Sequence, residues 1–333
     1  MTGTLATEHD LFVFDLDGVV YIGPAAVPGA VAAISRLHDE GRAVAYATNN
    51  AARRASAVSA HLTELGVPAS DGEVVTSAQV ASGVLAERLP AGAAVLIVGT
   101  EDLAAEVADV GLRPVWTADD GPQAVIQGYG REVGWTLLAE ACVAVRGGAW
   151  WLATNADRTL PSDRGPLPGN GALVAALATA VDREPDLVVG KPAPTLFEQA
   201  AKRRGASRSL VVGDRLDTDI EGANRASMPS LFVLTGVHQP ADLLAAPAHQ
   251  RPTYVAADLD GLFEPADAVR LEGERAGWHA SESGGELVLR GAGPALDALR
   301  ALCAAAWRAP GGARTFRPDG DAAAAALADL RLG

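Results

Sequence analysis

The chain has 333 residues, of which 49% are hydrophobic and 5% aromatic, and its formal net charge is −14. This length allows two or three domains with ordinary cores. The negative charge argues against nucleic acid or an anionic membrane surface as the main partner. An anionic substrate is still compatible, because a bound divalent cation and local donors can reverse the sign inside a pocket.

The only two cysteines, Cys142 and Cys303, lie far apart in the chain. Neither a disulfide framework nor a cysteine metal site is therefore expected. The first residues lack the basic start and apolar segment of a signal peptide, and no run of about 18 apolar residues is present. These features predict a cytoplasmic enzyme or binding protein without a membrane span.

The first 65 residues alternate between strand and helix patterns. The apolar run Leu11–Phe14 is typical of a buried parallel strand. A helix is predicted from Pro28 to Glu40, followed by a strand over Ala43–Ala47 and a helix over Arg53–Leu65. This βαβα order predicts a parallel sheet with right-handed crossovers.

A second α/β pattern runs from about Ser77 to Pro185, after which the first pattern resumes. The predicted strands of this middle part are Ala94–Gly99, Ala124–Gly128 and Trp150–Thr154, and its helices are Glu101–Val110, Gly134–Val145 and Gly171–Val181. The resumed part has predicted strands at Leu187–Val189, Leu210–Val212 and Leu231–Leu234, helices at Thr195–Arg204 and Thr218–Ala226, and a last strand and short helix within Arg251–Phe263. One domain is therefore predicted to be inserted into another.

The segment from about Ala268 onward has a different pattern. Residues 269–280 and 285–291 predict a hairpin, and a helix is predicted from Pro294 to Arg308. A short strand at Arg314–Arg317 and an alanine-rich final helix complete a small α+β appendage.

Two carboxylates, Asp15 and Asp17, directly follow the first predicted strand. Ligands bind at the carboxyl ends of strands in open α/β sheets. One carboxylate could attack a substrate or hold a metal while the other transfers protons. The same D-x-D pattern also occurs in surface turns and at other metal sites, so it does not decide the function alone.

Three further motifs also follow predicted strands. Thr48-Asn49-Asn50 offers donors for a phosphate, Lys191 offers a positive charge, and Gly213–Asp219 contains acids suited to Mg²⁺. Each is also compatible with an ordinary turn, a solvated loop or a helix cap. Four such motifs in this order, each after a strand, would rarely occur together by chance.

In this order the four motifs resemble those of the haloacid dehalogenase-like (HAD) phosphohydrolases, over roughly residues 10 to 265. About 140 residues separate Thr48 from Lys191, which resembles the branch with a large C2-type cap between the second and third motifs. This branch includes the NagD-like and 4-nitrophenylphosphatase-like enzymes. The implied fold is α/β, with a Rossmann-like core (1–77 and 187–265), an inserted α/β cap (78–186) and the α+β appendage (268–333).

The resemblance implies a phosphatase that uses Mg²⁺ and an aspartyl-phosphate intermediate. Asp15 would attack phosphorus, and Asp17 would be the acid and base. Magnesium would be held by Asp15, the backbone carbonyl of Asp17 and Asp214, with Asp219 ordering metal-bound waters. The phosphoryl oxygens would contact backbone amides after Asp15, where Gly18 permits a tight turn, and the side chains of Thr48, Asn49, Asn50 and Lys191.

Asp17 also separates reaction classes within the superfamily. The resemblance implies that dehalogenases lack this second acid and that phosphate-transferring ion pumps carry threonine there. A phosphatase is therefore favoured over both, and this type of cap argues against a mutase. A catalytically inactive regulator would require a broken motif, and all four are intact.

The cap segment Ala153–Gly171 resembles the family's specificity loop, and a solvated loop with two incidental arginines is the alternative. Candidate substrate contacts in it are Asn155, Arg158, Thr159 and Arg164. The lack of a histidine near Leu160, and Gly130 where relatives often carry aspartate, argue against pyridoxal phosphate. The resemblance, which extends to actinobacterial-type glycerol-3-phosphate phosphatases, favours a small polyol phosphate. Glycerol 3-phosphate comes first and phosphoglycolate next, with pyridoxal phosphate and nucleotides as further alternatives.

The loop from Arg290 to Ala295 resembles the one with which GCN5-related acetyltransferases hold the coenzyme A pyrophosphate. Backbone amides at a helix start can bind anions. However, the tail has roughly 65 residues, about half of what that fold needs, and Pro294 removes one amide. We expect a truncated relic that serves packing or homodimer contacts; a coenzyme A-binding or acyl-transfer module is the alternative.

Overall fold

The computed structural model describes residues 3–160, 164–272, 277–308 and 315–333. The chain divides into two compact units. The first comprises Met1–Val44, Gly66–Pro68 and Arg204–Gly333, and the second comprises Ala45–Leu65 and Ala69–Arg203. The boundaries expected from motif spacing differ from this division and stay a prediction.

The N-terminal elements follow the predicted alternation of strand and helix. They are α1 (Leu5–Glu8), β1 (Leu11–Phe14), β2 (Tyr21–Ile22), β3 (Ala25–Ala26), α2 (Ala30–Asp39) and β4 (Ala43–Thr48). All four residues of β1 are buried, as expected for a strand that is covered on both faces. Strand β4 begins in the first unit and ends in the second.

The second unit carries most of the middle elements. They are α3 (Ala55–Glu64), β5 (Val74–Thr76), α4 (Ser77–Arg88), β6 (Ala94–Val98), α5 (Glu101–Asp109), β7 (Arg113–Val115), β8 (Ala124–Gln127), α6 (Trp135–Arg146), β9 (Trp150–Ala153), β10 (Thr159–Leu160), β11 (Leu167–Pro168), α7 (Asn170–Val181), β12 (Leu187–Val188) and α8 (Thr195–Arg204). Threonine hydroxyls begin two of these helices: Thr76 accepts from the N–H of Gln79 at 3.1 Å, and Thr100 accepts from that of Leu103 at 3.3 Å.

The chain then returns to the first unit. Its elements are β13 (Ser209–Gly213), a π-helical turn (Leu216–Ile220), α9 (Glu221–Arg225), β14 (Ser230–Val233), α10 (Pro240–Ala245), β15 (Tyr254–Ala256) and α11 (Ala266–Val269). The helix expected from Thr218 thus begins two residues earlier, as a π-helical turn. Such turns are rare in proteins, and those that do occur are often found at functional sites.

Two parallel sheets confirm the predicted α/β class. One has the strand order β15-β14-β13-β1-β4-β5, and the other has the order β12-β9-β8-β6-β7. The second contains the predicted middle strands β6, β8 and β9. It also contains β7, which was not predicted, and β12, which the sequence pattern had assigned to the resumed part but which pairs with β9. Its core includes Trp151, which is fully buried and donates through Nε1 to Oε1 of Gln127 at 3.1 Å.

The described residues of the tail form three strands and two helices: β16 (Trp278–Ser283), β17 (Glu286–Gly291), α12 (Ala295–Ala306), β18 (Thr315–Asp319) and α13 (Asp321–Asp329). The predicted hairpin is confirmed, because β16 and β17 pair antiparallel. Its first strand begins at Trp278, not at Val269, which ends α11; residues 273–276 of the expected strand lie outside the described residues.

The tail and the rest of the first unit share one hydrophobic core. The shared cluster contains Phe232 and Val255 from the sheet, Leu243 from α10, and Leu299 and Leu302 from α12. The tail is therefore packed into this unit as part of its core.

Candidate active site

Asp15 and Asp17 lie where β1 ends. The N–H of Asp15 donates to the carbonyl of Val212 at 2.9 Å, so the sheet hydrogen bonding continues to the first acid. Asp15 is half-buried and Asp17 is exposed. The chain turns at Gly18, whose φ of +87° favours glycine and whose N–H donates to the carbonyl of Tyr21 at 2.8 Å.

Three carboxylates come together at this end of the sheet. Asp15, Asp214 and Asp219 each have an oxygen within 4.8 Å of an oxygen of the other two. Asp214 and Asp219 are almost completely buried. Buried carboxylates this close repel one another unless a cation or a proton lies between them.

The donor set of this cluster fits Mg²⁺, which prefers oxygen ligands at about 2.0–2.1 Å. Opposite ligands of such an ion lie about 4.2 Å apart. The spread of the three oxygens is therefore close to what one ion can span. Among the described residues, no other trio of His, Cys, Asp or Glu side chains has this arrangement.

Glycines surround the two buried acids closely. A Cβ atom on Gly18 would lie 2.5 Å from Oδ2 of Asp214, and one on Gly236 would lie 2.6 Å from its Cβ. A Cβ atom on Gly213 would lie 2.6 Å from Cγ of Asp219. Real Cβ atoms do not approach neighbours this closely, so each glycine is needed to let backbone meet carboxylate.

A loop that the sequence analysis did not single out also contacts Asp214. The N–H of Val237 donates to Oδ2 of Asp214 at 2.6 Å, and the hydroxyl of Thr235 donates to the carbonyl of Gly18 at 2.6 Å. A signal was present, because Thr235-Gly236 follows a predicted strand just as the other four motifs do.

The turn between Asp214 and Asp219 is held by its own side chains. Oδ2 of Asp219 accepts from the N–H of Arg215 at 3.1 Å, and the guanidinium of Arg215 pairs with both oxygens of Asp217 at 3.1 and 2.9 Å. Burial acts to raise the pKa of Asp217, but hydrogen bonding and charge from Arg215 outweigh it, so this pKa is lowered. The Asp217 carboxylate is therefore ionised, and in this form it pairs with the guanidinium of Arg215.

A second group of predicted residues lies in the other unit. Thr48 and Lys191 are both buried, and Nζ of Lys191 donates to the carbonyl of Ala47 at 3.2 Å. Asn49 joins the two motifs: its Oδ1 accepts from the N–H of Lys191 at 2.7 Å, and its Nδ2 donates to the carbonyl of Lys191 at 3.1 Å. The motifs around Thr48 and Lys191 are thus brought together, although their roles stay predictions.

The cap loop contacts Asn49 as well. Nδ2 of Asn155 donates to the carbonyl of Asn49 at 2.7 Å, and both carboxylate oxygens of Asp157 accept from Nδ2 of Asn49 at 3.2 Å. Asn170, also buried, donates to the carbonyl of Asn155 at 2.8 Å. The amide of Asn155 is therefore hydrogen-bonded within the protein, and its expected substrate contact stays a prediction.

The remaining predicted residues of this group are exposed. Oδ1 of Asn50 accepts from the N–H of Ala52 at 2.9 Å, which is an Asx-turn. Arg158, Thr159 and Arg164 are exposed, and residues 161–163 of the same loop lie outside the described residues. The substrate contacts of these residues stay predictions. Asp157 and Asn170 were missed because a pattern does not identify the partner of an amide.

Three family models match the chain. The haloacid dehalogenase-like hydrolase model matches residues 12–113, the HAD-hydrolase-like model matches residues 188–262, and the GCN5-related N-acetyltransferase-like domain matches residues 275–332. The first two together contain all four motifs, and the third covers the tail.

Relatives with assigned names match most of the chain. A D-glycerol 3-phosphate phosphatase of Mycobacterium tuberculosis is 47% identical over 315 residues, covering 92% of this chain and 88% of the relative. An acid sugar phosphatase of Staphylococcus aureus is 33% identical over 255 residues, 76% of this chain and 96% of the relative. The crystal structure of a glycerol phosphate phosphatase from M. tuberculosis in complex with magnesium is 46% identical, with a TM-score of 0.94 and full coverage of both chains.

Proposed function

Because the chain belongs to the haloacid dehalogenase-like hydrolases, we propose that it is a Mg²⁺-dependent phosphatase that hydrolyses glycerol 3-phosphate to glycerol and phosphate. The cluster of Asp15, Asp214 and Asp219, with Asp17 two residues after Asp15, carries this proposal. A catalytic carboxylate beside two buried acids suits an enzyme that binds a cation and a phosphoryl group together.

The proposed reaction has two displacements at phosphorus. A carboxylate oxygen of Asp15 forms a bond to phosphorus, and the bond from phosphorus to the glycerol oxygen breaks. Asp17 gives its proton to the departing oxygen. Asp17 then takes a proton from a water molecule, whose oxygen attacks phosphorus and releases phosphate, so that Asp15 is restored.

The buried acids would serve the phosphoryl group through the metal. Asp15, Asp214 and the backbone carbonyl of Asp17 would hold Mg²⁺, and Asp219 would order its waters. When bound, the ion offsets the repulsion between the carboxylates and the phosphate dianion. We assign Thr48, Asn49, Asn50 and Lys191 to the phosphoryl oxygens, with Gly18 allowing the backbone amides after Asp15 to join them.

The name of the 47% identical relative supports glycerol 3-phosphate as the substrate. Gly130 adds an argument from packing: a Cβ atom there would lie 3.2 Å from Cγ2 of Val133 and 3.3 Å from Cγ2 of Thr100. An aspartate at this position would require both neighbours to shift, so the packing fits the glycine, and it is the absence of the aspartate common in relatives that argues against pyridoxal phosphate. Phosphoglycolate and nucleotides are the remaining alternatives.

The role of the tail is proposed as packing. The glycine loop after β17 is covered by Trp278, whose Nε1 donates to the carbonyl of Pro294 at 3.0 Å. A Cβ atom on Gly293 would lie 2.9 Å from the same Nε1. With the indole against the loop and a proline before α12, the loop is poorly suited to a pyrophosphate. The coenzyme A alternative rests on the tail's family match alone.

The wider setting is proposed from composition. We place the enzyme in the cytoplasm, since both cysteines are free, with a small metabolite as its substrate and a homodimer as a further hypothesis. No helix in the described part of the chain is both long and apolar enough to cross a membrane. The domain division proposed is a core of residues 1–77 and 187–265, a cap of residues 78–186 and a tail of residues 268–333.

Asp15→Asn tests the proposed function, with Asp10→Asn at the other end of β1 as the matched control. The wild type should release phosphate from glycerol 3-phosphate only with Mg²⁺, and with a higher kcat/KM than from phosphoglycolate, pyridoxal phosphate or nucleotides. Asp15→Asn should remove this activity and Asp10→Asn should retain it. Turnover by Asp15→Asn would exclude Asp15 as nucleophile, and poor turnover of glycerol phosphates would exclude the proposed substrate.

A further inference from the structure

The π-helical turn that carries Asp219 begins immediately after Asp214. The first N–H groups of a helix have no partner within the helix and need acceptors from elsewhere. Here the N–H of Arg215 donates to Oδ2 of Asp219, within the turn itself. The next N–H, that of Leu216, donates at 2.8 Å to Nδ1 of His238, which lies 22 residues further along the chain.

His238 also contacts Asp214, the residue that precedes Arg215. Its own N–H donates to the carbonyl of Asp214 at 3.3 Å, and the N–H of the preceding residue, Val237, donates to the Asp214 carboxylate. The backbone and ring of one residue therefore hold Asp214 and Leu216 together. Because a backbone N–H can only donate, Nδ1 offers its lone pair to Leu216.

We propose that His238 is a positioning residue that fixes the turn between Asp214 and Asp219 for metal binding. This role rests on the proposed function, in which Asp214 is a metal ligand. His238 acts through two backbone groups of the turn. Its contribution is to keep both acids in place before the ion arrives, so that binding energy is not used to order them.

The residue after His238 is also held by hydrogen bonds, which restricts the position of the His238 backbone and ring. Gln239 directly precedes α10, and its backbone N–H donates to Oδ2 of Asp242 at 2.8 Å. Its Nε2 donates to the carbonyl of Gly236 at 3.1 Å. Nε1 of Trp307 in the tail donates to the carbonyl of Leu243 in α10 at 3.2 Å, so the tail also contacts this helix.

Removing the ring acceptor should weaken Mg²⁺ binding. His238→Ala leaves the N–H of Leu216 without its acceptor, and we expect the Kd for Mg²⁺ to rise about 5- to 10-fold, the scale of a lost helix cap. His238→Asn should keep the Kd within about twofold of the wild type, because the asparagine Oδ1 takes the place of Nδ1 and accepts the same N–H. KM for glycerol 3-phosphate at saturating Mg²⁺ should not change.

The experiment is a calorimetric titration of the substrate-free full-length protein with Mg²⁺, paired with phosphate release at varied Mg²⁺. His249→Ala is the matched control, since the His249 side chain is exposed and its ring contacts the Glu221 carboxylate at 3.7 Å. Its Kd should equal that of the wild type. His238→Leu, which keeps apolar bulk without an acceptor, replaces His238→Ala if the alanine variant does not fold.

Each result of this experiment decides the proposal. A weak site in His238→Ala or His238→Leu with rescue by His238→Asn supports positioning by the ring acceptor. An unchanged Kd in the variants without an acceptor overturns it, as does equal weakening in His238→Asn. If the wild type binds Mg²⁺ as described but releases no phosphate, the proposed function fails while the positioning role stands.

Discussion

Gly236→Ala offers a sharp test of the carboxylate cluster, because it changes one hydrogen atom for a methyl group. Gly236 lies outside the positive φ range that favours glycine, so alanine fits the backbone there. The obstacle is Asp214: the new methyl carbon would lie 2.6 Å from its Cβ and closer still to its carboxylate. The variant therefore introduces a clash with one proposed metal ligand.

The size of the effect follows from this distance. Carbon atoms pack at about 3.5–4.0 Å, so the Asp214 side chain or the loop must move by roughly 1 Å. Overpacking of this kind costs about 1–3 kcal/mol of stability. A metal site tolerates deviations of only about 0.2 Å in its ligand distances, and a misplacement of about 1 Å can lower a rate about 10²-fold.

We therefore expect Gly236→Ala to lose at least about 10²-fold in kcat/KM at low Mg²⁺, with partial recovery as Mg²⁺ is raised. The assay is phosphate release from glycerol 3-phosphate over a range of Mg²⁺ concentrations, with thermal unfolding of the same samples. Gly83→Ala is the matched control, because a Cβ atom there meets nothing within 4 Å in helix α4. This variant should keep full activity, and its free energy of unfolding should rise by about 0.5–1 kcal/mol. Wild-type activity and Mg²⁺ dependence in Gly236→Ala would refute the assignment of Asp214.

Two further predictions concern stability. Asp10 accepts from the N–H groups of Ser207 and Arg208 at 3.2 and 2.9 Å; burial acts to raise its pKa, but these hydrogen bonds outweigh it and lower the pKa. Asp10→Asn should therefore lower the free energy of unfolding by about 1 kcal/mol, measured with urea at pH 7. The difference from the wild type should vanish as the pH falls below about 3.9, the pKa of an unfolded aspartate, and then through the lower pKa of the folded state. A constant difference down to pH 2 would contradict this prediction. Arg300, buried in α12, donates to the carbonyl of Val255 at 2.7 Å, so Arg300→Ala should cost about 3 kcal/mol. Because Arg300 joins the tail to the sheet, heating this variant should remove the activity and the structure of the tail in a single thermal transition. Two separate transitions would show that the tail folds independently.

Strand positions could be predicted from the sequence because each buried strand is a short apolar run that ends in polar residues. Leu11–Phe14 and Ala43–Ala47 were recognised in this way, and the acids and amides that follow them were correctly expected at strand ends. The short strand Val74–Thr76 and the helix Ser77–Arg88 were missed. The helix has little separation of polar and apolar faces, because small residues pack on several sides of it.

Hydrogen-bond partners could not be predicted, because they depend on which distant segments approach one another. Asn49 and Lys191 are 142 residues apart, and both amide atoms of Asn49 are satisfied by the backbone of Lys191. The pattern showed that an amide side chain follows a strand, but any nearby backbone group could have satisfied it. His238 escaped notice for the same reason, since its acceptor role appears only once Leu216 lies beside it.

The tail shows why a core cannot be assigned from amphipathic patterns alone. Helix α12 was expected, and its apolar face predicts burial, but hydrophobic attraction has no direction and does not identify what covers that face. In the structure Leu299 and Leu302 share a cluster with Leu243 and Val255. The tail thus packs against α10, the helix that follows the loop whose Val237 N–H donates to Asp214. Packing against α10 and the sheet is therefore a function that the tail can have without binding a ligand.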